Sequence, residues 1–170
     1  MPKGLSQTSA PLVISLSVGE AIVNTFAQNQ IDVQLNVLDR EVMVVTGVDV
    51  DVLPPDGVPG TNTVTRASVS TTSRTTVGDI ADTNVLASTR SDIRGANYVD
   101  SGVGFSTSFG ETPAAGMDYL NIIATNNFFC QVLGNGNIGT TGMTGRLYCY
   151  RAVADAATFA ALVQSELLSA

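Results

Sequence analysis

Residues Ile31-Asp32-Val33-Gln34-Leu35-Asn36-Val37 place four apolar side chains at odd positions and three polar ones between them. Successive side chains of a strand point to opposite faces. Seven residues of period two therefore read as a half-buried strand, one face in a core and one in water. Leu38-Asp39-Arg40-Glu41 follows as a polar turn. The next run, Val42-Met-Val-Val-Thr-Gly-Val-Asp-Val-Asp-Val52, is apolar on both faces in its first half and alternates Val48, Val50 and Val52 against Asp49 and Asp51 in its second. It reads as a long strand that changes environment along its length, bent near Gly47. Leu53-Pro-Pro-Asp-Gly-Val-Pro-Gly60 ends it, because such a Pro-rich segment cannot continue a ladder.

Further strands are expected outward from this pair. They are Thr61 to Thr72, Val85 to Arg90, Val103 to Phe109, Tyr119 to Thr125, Phe128 to Leu133 and Gly145 to Arg151, rich in Val, Thr, Phe and Tyr. Eight strands joined by connections of mixed length favour an all-β, eight-stranded jelly-roll sandwich over an up-and-down barrel. The period changes at the C-terminus. Asp155 is placed to cap a helix from about Ala156, and Phe159, Leu162, Val163 and Leu167 recur at helical spacing. The expected organisation is an N-terminal arm or extra strand over 1–25, the jelly roll over 26–152 and a short amphipathic helix over 153–170. The apolar face of that helix needs a partner, either its own sandwich or a neighbouring subunit.

Between Phe128 and Arg151 lies a Gly-rich segment, 134–145, that reads as the tip of a long hairpin. A hairpin symmetric about Gly139 and Thr140 sets Cys130 opposite Cys149 and puts Phe129, Gln131, Tyr148 and Tyr150 on the other face. That spacing overlaps the range of a disulfide. Two reduced, buried thiols are the favoured alternative, because cytosolic production keeps thiols reduced.

Composition removes whole classes of mechanism. The 170 residues include no His, so neither a Ser-His-Asp triad nor an imidazole metal site can form. Charged residues are only 14% of the chain, its net charge is −7, and Lys3 is the sole lysine. A broad phosphate-binding face is not expected on such a chain. The Gly-rich runs are not followed by a helix and so are not phosphate loops, and no G-x-S-x-G elbow occurs. No catalytic residue and no cofactor is assigned, and the chain is not expected to be an enzyme. No segment is apolar for long enough to span a bilayer, and the N-terminus does not read as a secretion signal.

Two groups of side chains remain as candidates. Asp49 and Asp51, two apart on one strand, share a face and could ligate calcium through oxygen; the alternative is a solvated edge-strand face. Arg66, Arg74, Arg90 and Arg94 fall mid-chain, after an acidic cluster that runs from Asp32 to Asp56. Arginine is favoured at interfaces, where its planar fork pairs with carboxylates. These four, with Phe159, Leu162 and Leu167 of the helix, are the candidate interface residues; intrachain pairing is the alternative for the arginines.

The Val/Thr-rich strands, the Pro/Gly/Asn loops, the polar N-terminal arm and the low charge together resemble a single jelly-roll capsid protein of a small tailless icosahedral virus. The resemblance covers roughly residues 26 to 152 and is architectural, with no short motif to fix a family. It implies a structural virion protein, assembled in the host cytoplasm, that meets copies of itself and other capsid proteins in an icosahedral shell. Many such proteins carry a basic arm; this arm has Lys3 alone. Direct nucleic-acid binding is therefore not expected, and a shell over an internal membrane would need no such arm. A β-sandwich carbohydrate-binding or adhesin module is the other reading, with Asp49, Asp51, Tyr148, Tyr150 and the Gly-rich tip serving a ligand.

Overall fold

The computed structural model describes residues 3–96, 105–109 and 117–168. Ten strands and one α-helix occur among them: β1 Leu5–Gln7, β2 Leu12–Gly19, β3 Ala27–Asp32, β4 Glu41–Val52, β5 Asn62–Ser70, β6 Val85–Arg94, β7 Phe105–Phe109, β8 Asn121–Ile123, β9 Asn127–Asn135, β10 Gly142–Ala154 and α1 Ala156–Leu168. They form two antiparallel sheets. Sheet A holds β10 between β4 on one side and β1 and β2 on the other, with β8 beyond β4; sheet B runs β3-β9-β5-β6-β7.

The pairing is nested. β5 pairs with β6, β4 with β8, β3 with β9 and β2 with β10, so the chain folds as one long ribbon doubled back on itself and rolled into a sandwich. This is the jelly-roll arrangement, two Greek keys closed face to face. β1 and β7 are additions at the sheet edges. The segment expected as an arm or extra strand thus supplies two strands, of which β2 belongs to the roll itself. Of the strand expected over Val103 to Phe109, residues 103–104 lie outside the described residues.

The core lies between the sheets. Met43, Val45 and Val48 of β4 and Leu147 and Cys149 of β10 face Ala67, Val69, Phe128, Cys130 and Val132 of sheet B. β4 carries the bend expected near Gly47: Tyr148 pairs with Gly47 and Cys149 with Val45, leaving Thr46 as an extra residue. A bulge of this kind locally kinks a strand and increases its twist. The Thr46 hydroxyl donates to the Tyr148 carbonyl at 3.1 Å. Gly145 marks a close approach of backbones, since a Cβ there would lie 2.5 Å from the Asp49 carbonyl oxygen.

Two sequence expectations are corrected. The alternation from Ile31 to Val37 is not one strand: β3 ends at Asp32, Gln34 takes a positive φ of 45° and Val37–Asp39 form a 3-10 turn. Val33 and Leu35 still point into the core, while Val37 is exposed. Nor do β9 and β10 form a hairpin. They lie in opposite sheets, so Cys130 pairs with Asn29 and Val69, whereas Cys149 pairs with Leu12 and Val45. Both thiols are free and buried. Gln131 and Tyr148 accordingly share no face: Gln131 is buried on sheet B and Tyr148 is exposed on sheet A.

The helix begins where Asp155 caps it, accepting from the Thr158 amide at 2.7 Å. Its Phe159, Leu162 and Val163 pack on the outer face of sheet A, against a second core of Val42, Val44, Ile122, Tyr150 and Ala152. Among the described residues no helix is long and apolar enough to cross a membrane.

Candidate assembly surface

One end of the sandwich gathers the β2–β3, β4–β5 and β9–β10 connections. Glu20, the residue after β2, turns its carboxylate inward and is buried. One oxygen, Oε1, accepts from the Gly134 amide at 2.6 Å; the other, Oε2, accepts from Thr141 at 3.1 Å and Asn24 at 3.2 Å. A charged acceptor serving backbone donors makes bonds about twice as strong as neutral ones. The Asn24 side chain then brackets the Asn137 backbone: Asn24 Nδ2 donates to the Asn137 carbonyl at 2.8 Å, and the Asn137 amide donates to Asn24 Oδ1 at 3.0 Å. Asn24 adopts a positive φ of 56°, a conformation Asn tolerates better than most residues.

The third loop joins through Asp56. Its own amide donates to Asn137 Oδ1 at 3.0 Å, and its Oδ2 accepts from Ile138 at 2.9 Å and Gly139 at 2.8 Å. Asn137 Nδ2 finally donates to the Val64 carbonyl at 3.1 Å, anchoring the cluster to β5. Backbone groups that a loop would otherwise leave to water are thereby paired inside the protein, which fixes the loops relative to one another.

On this clasp the chain exposes large apolar side chains. Ile22, Leu53 and Ile138, one from each connection, are 69%, 57% and 75% exposed. Burying an aliphatic side chain is worth roughly 1.5–3 kcal/mol, so each of the three would be stabilised by being covered.

The other candidate residues fall elsewhere. Asp49 and Asp51 are exposed on the outer face of sheet A, where Arg146 stands directly opposite Asp49 and Thr144 opposite Asp51. Among the described residues no group of three or more carboxylate or thiol side chains could hold a metal ion. Arg66, Arg90 and Arg94 share the outer face of sheet B. Arg90 pairs with Asp92 at 2.9 Å, and Arg94 lies 3.9 Å from the same carboxylate. Arg74 stands apart in the β5–β6 connection, where it binds Asp82 at 2.7 Å and Asn84 at 2.8 Å. Of the helix candidates, Phe159 and Leu162 pack on the chain's own sandwich, while Leu167 points outward and is exposed.

Sequence reasoning missed the clasp residues Glu20, Asn24 and Asn137, and noted Asp56 only as one of the acidic cluster. Their partners lie up to 121 positions away, and no local pattern marks a carboxylate that will be buried against distant amides. The faint signals available were a Glu directly after an alternating strand and, far away in sequence, a Gly/Asn-rich segment after Leu133.

Burial also sets the chemistry of the two thiols. Desolvation pushes both Cys130 and Cys149 up to about 11, with hydrogen bonding near Asn29 opposing the shift at Cys130 and the Arg151 charge opposing it at Cys149. A thiol so placed is neutral and unreactive near pH 7.

No family model and no curated protein matches the sequence. Among solved structures, one titled Desmodium yellow mottle tymovirus is similar at a TM-score of 0.32 and 12% identity, covering 92% of this chain and 95% of that chain. A likeness of that degree carries no argument about function.

Proposed function

We propose that this chain is a structural virion protein: a subunit, not an enzyme, that associates with copies of itself and with other capsid proteins into an icosahedral shell, assembled in the host cytoplasm. The observation that carries the reading is the clasped end, where buried Glu20 and Asn137 lock three connections and leave Ile22, Leu53 and Ile138 exposed. Pre-organised loops associate at low entropic cost, since little remains to be ordered on contact. Closed rotational symmetry then brings the same apolar end of several copies together around one axis. The low charge of the chain fits a surface largely used against neighbours. A single lysine in the arm fits a shell over an internal membrane better than one bound directly to nucleic acid.

The test is sedimentation velocity over a concentration series. The native chain is expected to form large closed species, and Ile138→Asp to shift them towards monomer without changing the far-ultraviolet circular dichroism spectrum. A native chain that stays monomeric at every concentration overturns the reading.

A carbohydrate-binding or adhesin module is the second reading. A groove of about 580 Å³ opens beside β2 and β3 and is lined by Ser17, Gln28, Asn29, Asp51 and Thr144. Amide, hydroxyl and carboxylate groups suit sugar hydroxyls. Glycan binding by a monomeric species, lost in Asn29→Ala, would favour it.

A further inference from the structure

The two sheets are covered unevenly, and in the same sense. On sheet A, α1 lies over Val42, Val44 and Tyr150, the half remote from the clasp. On sheet B, the β5–β6 connection folds over the remote half: the Gly78 amide donates to Ser68 Oγ at 2.8 Å, and Ser88 Oγ donates to the Gly78 carbonyl at 3.2 Å. On both sheets no described segment lies over the half of the outer face next to the clasp.

The open halves differ in sign. On sheet B, Arg66 stands directly opposite Arg90 across β5 and β6. Like charges placed directly opposite are destabilising. Asp92 answers Arg90 and Arg94 together, while Arg66 makes no ion pair among the described residues. A cavity of about 350 Å³ opens beside Arg66 and Arg90. Asp79 lines it as well, its Oδ1 accepting from the Ile80 amide at 2.6 Å, and brings one negative charge to the rim, so the three arginines of this face outnumber Asp79 and Asp92 by one. On sheet A the open half presents Asp49 and Asp51 against the single Arg146.

We infer that the Arg66 and Arg90 surface of one copy receives the Asp49 and Asp51 carboxylates of the next. The inference rests on the self-assembly reading and names its lateral contact. The two surfaces lie on opposite sides of the sandwich, so each copy offers one of each. Such a heterologous contact closes into a ring when its rotation permits. A guanidinium fork set on a carboxylate forms a charge-assisted, geometrically specific pair. It also relieves the apposition of Arg66 and Arg90.

The experiment compares sedimentation velocity of the native chain, Arg66→Glu, Asp51→Arg and the combined variant. Each single reversal is expected to raise the concentration of half-association by about tenfold or more, and the combination is expected to return it to within about threefold of native. Both positions are exposed, and the milder Arg66→Gln and Asp51→Asn, expected to weaken association in the same direction, guard against loss of folding. A native chain that assembles while Arg66→Glu assembles equally well overturns the inference and leaves the self-assembly reading standing. Single reversals that weaken assembly without rescue in the combination also overturn it. A native chain that never assembles removes the self-assembly reading itself.

Discussion

Glu20 and Gly134 are joined by a 2.6 Å hydrogen bond across 114 positions of chain. The carboxylate closes the ribbon at the point where β2 leaves sheet A and β9 ends in sheet B. It thereby sets how the connections at that end lie against one another, and so the shape of the surface they present.

Truncating this residue tests that role. In Glu20→Ala the amides of Gly134, Thr141 and Asn24 all lose their acceptor, and a buried unsatisfied donor costs about 1–3 kcal/mol. Urea unfolding is expected to show a loss of about 3 kcal/mol, allowing for partial rehydration. Glu20→Gln keeps one acceptor oxygen and is expected to lose less. An alanine variant as stable as the native chain would mean that the clasp does not hold the loops.

A second buried carboxylate makes stability depend on pH. Glu166 of α1 accepts from the Ala124 amide at 3.1 Å through Oε1, while Oε2 is buried outside good hydrogen-bond geometry. Burial pushes its pKa above the usual carboxylate value, and the Ala124 amide and neighbouring Thr125 offset this only in part. The folded chain therefore binds this proton more tightly than the unfolded chain. Stability from this group is present below the ordinary value of 4.5 and is lost as pH rises through the raised one. Glu166→Gln is expected to exceed the native chain by about 1 kcal/mol at pH 7, with the advantage gone at pH 4. Urea midpoints at the two pH values measure it, and an equal difference at both would refute the assignment.

The thiols give a third prediction. Cys130 and Cys149 lie in opposite sheets, are buried and are held near 11 by desolvation. At pH 8 the folded chain is expected to leave a disulfide thiol reagent unreacted. In guanidinium without reductant both thiols should titrate. Fewer than two under those conditions would reveal a disulfide that this fold does not contain.

The sequence exposes the parts of this fold that depend on local pattern. The doubly apolar start of β4 and its alternating end follow from burial on two faces and then one, and Gly47 marks the bulge. Asp155 caps α1 because a short carboxylate reaches a free amide three residues on. What was illegible depends on long-range closure. Val33 and Leu35 keep strand-like alternation although β3 has ended, because the core wall continues past the last ladder bond. The Gly-rich segment after β9 looks like a hairpin tip, yet it crosses between sheets, because β9 already has β3 and β5 as neighbours. Ser68 and Gln131 are buried on the outer face of sheet B, bonded to one another at 2.8 Å under a connection whose path no periodicity reveals. The arginines of that face were legible as a group, but the separation of Arg74 from it was not.

Association of copies through the clasped end is the proposal on which the function rests. Light scattering of the purified native chain, with particle mass followed over a hundredfold or so in concentration, measures it. Discrete closed assemblies of fixed mass are expected, and Ile22→Asp and Ile138→Asp are expected to dissolve them. A single species of 17.6 kDa at every concentration would contradict it.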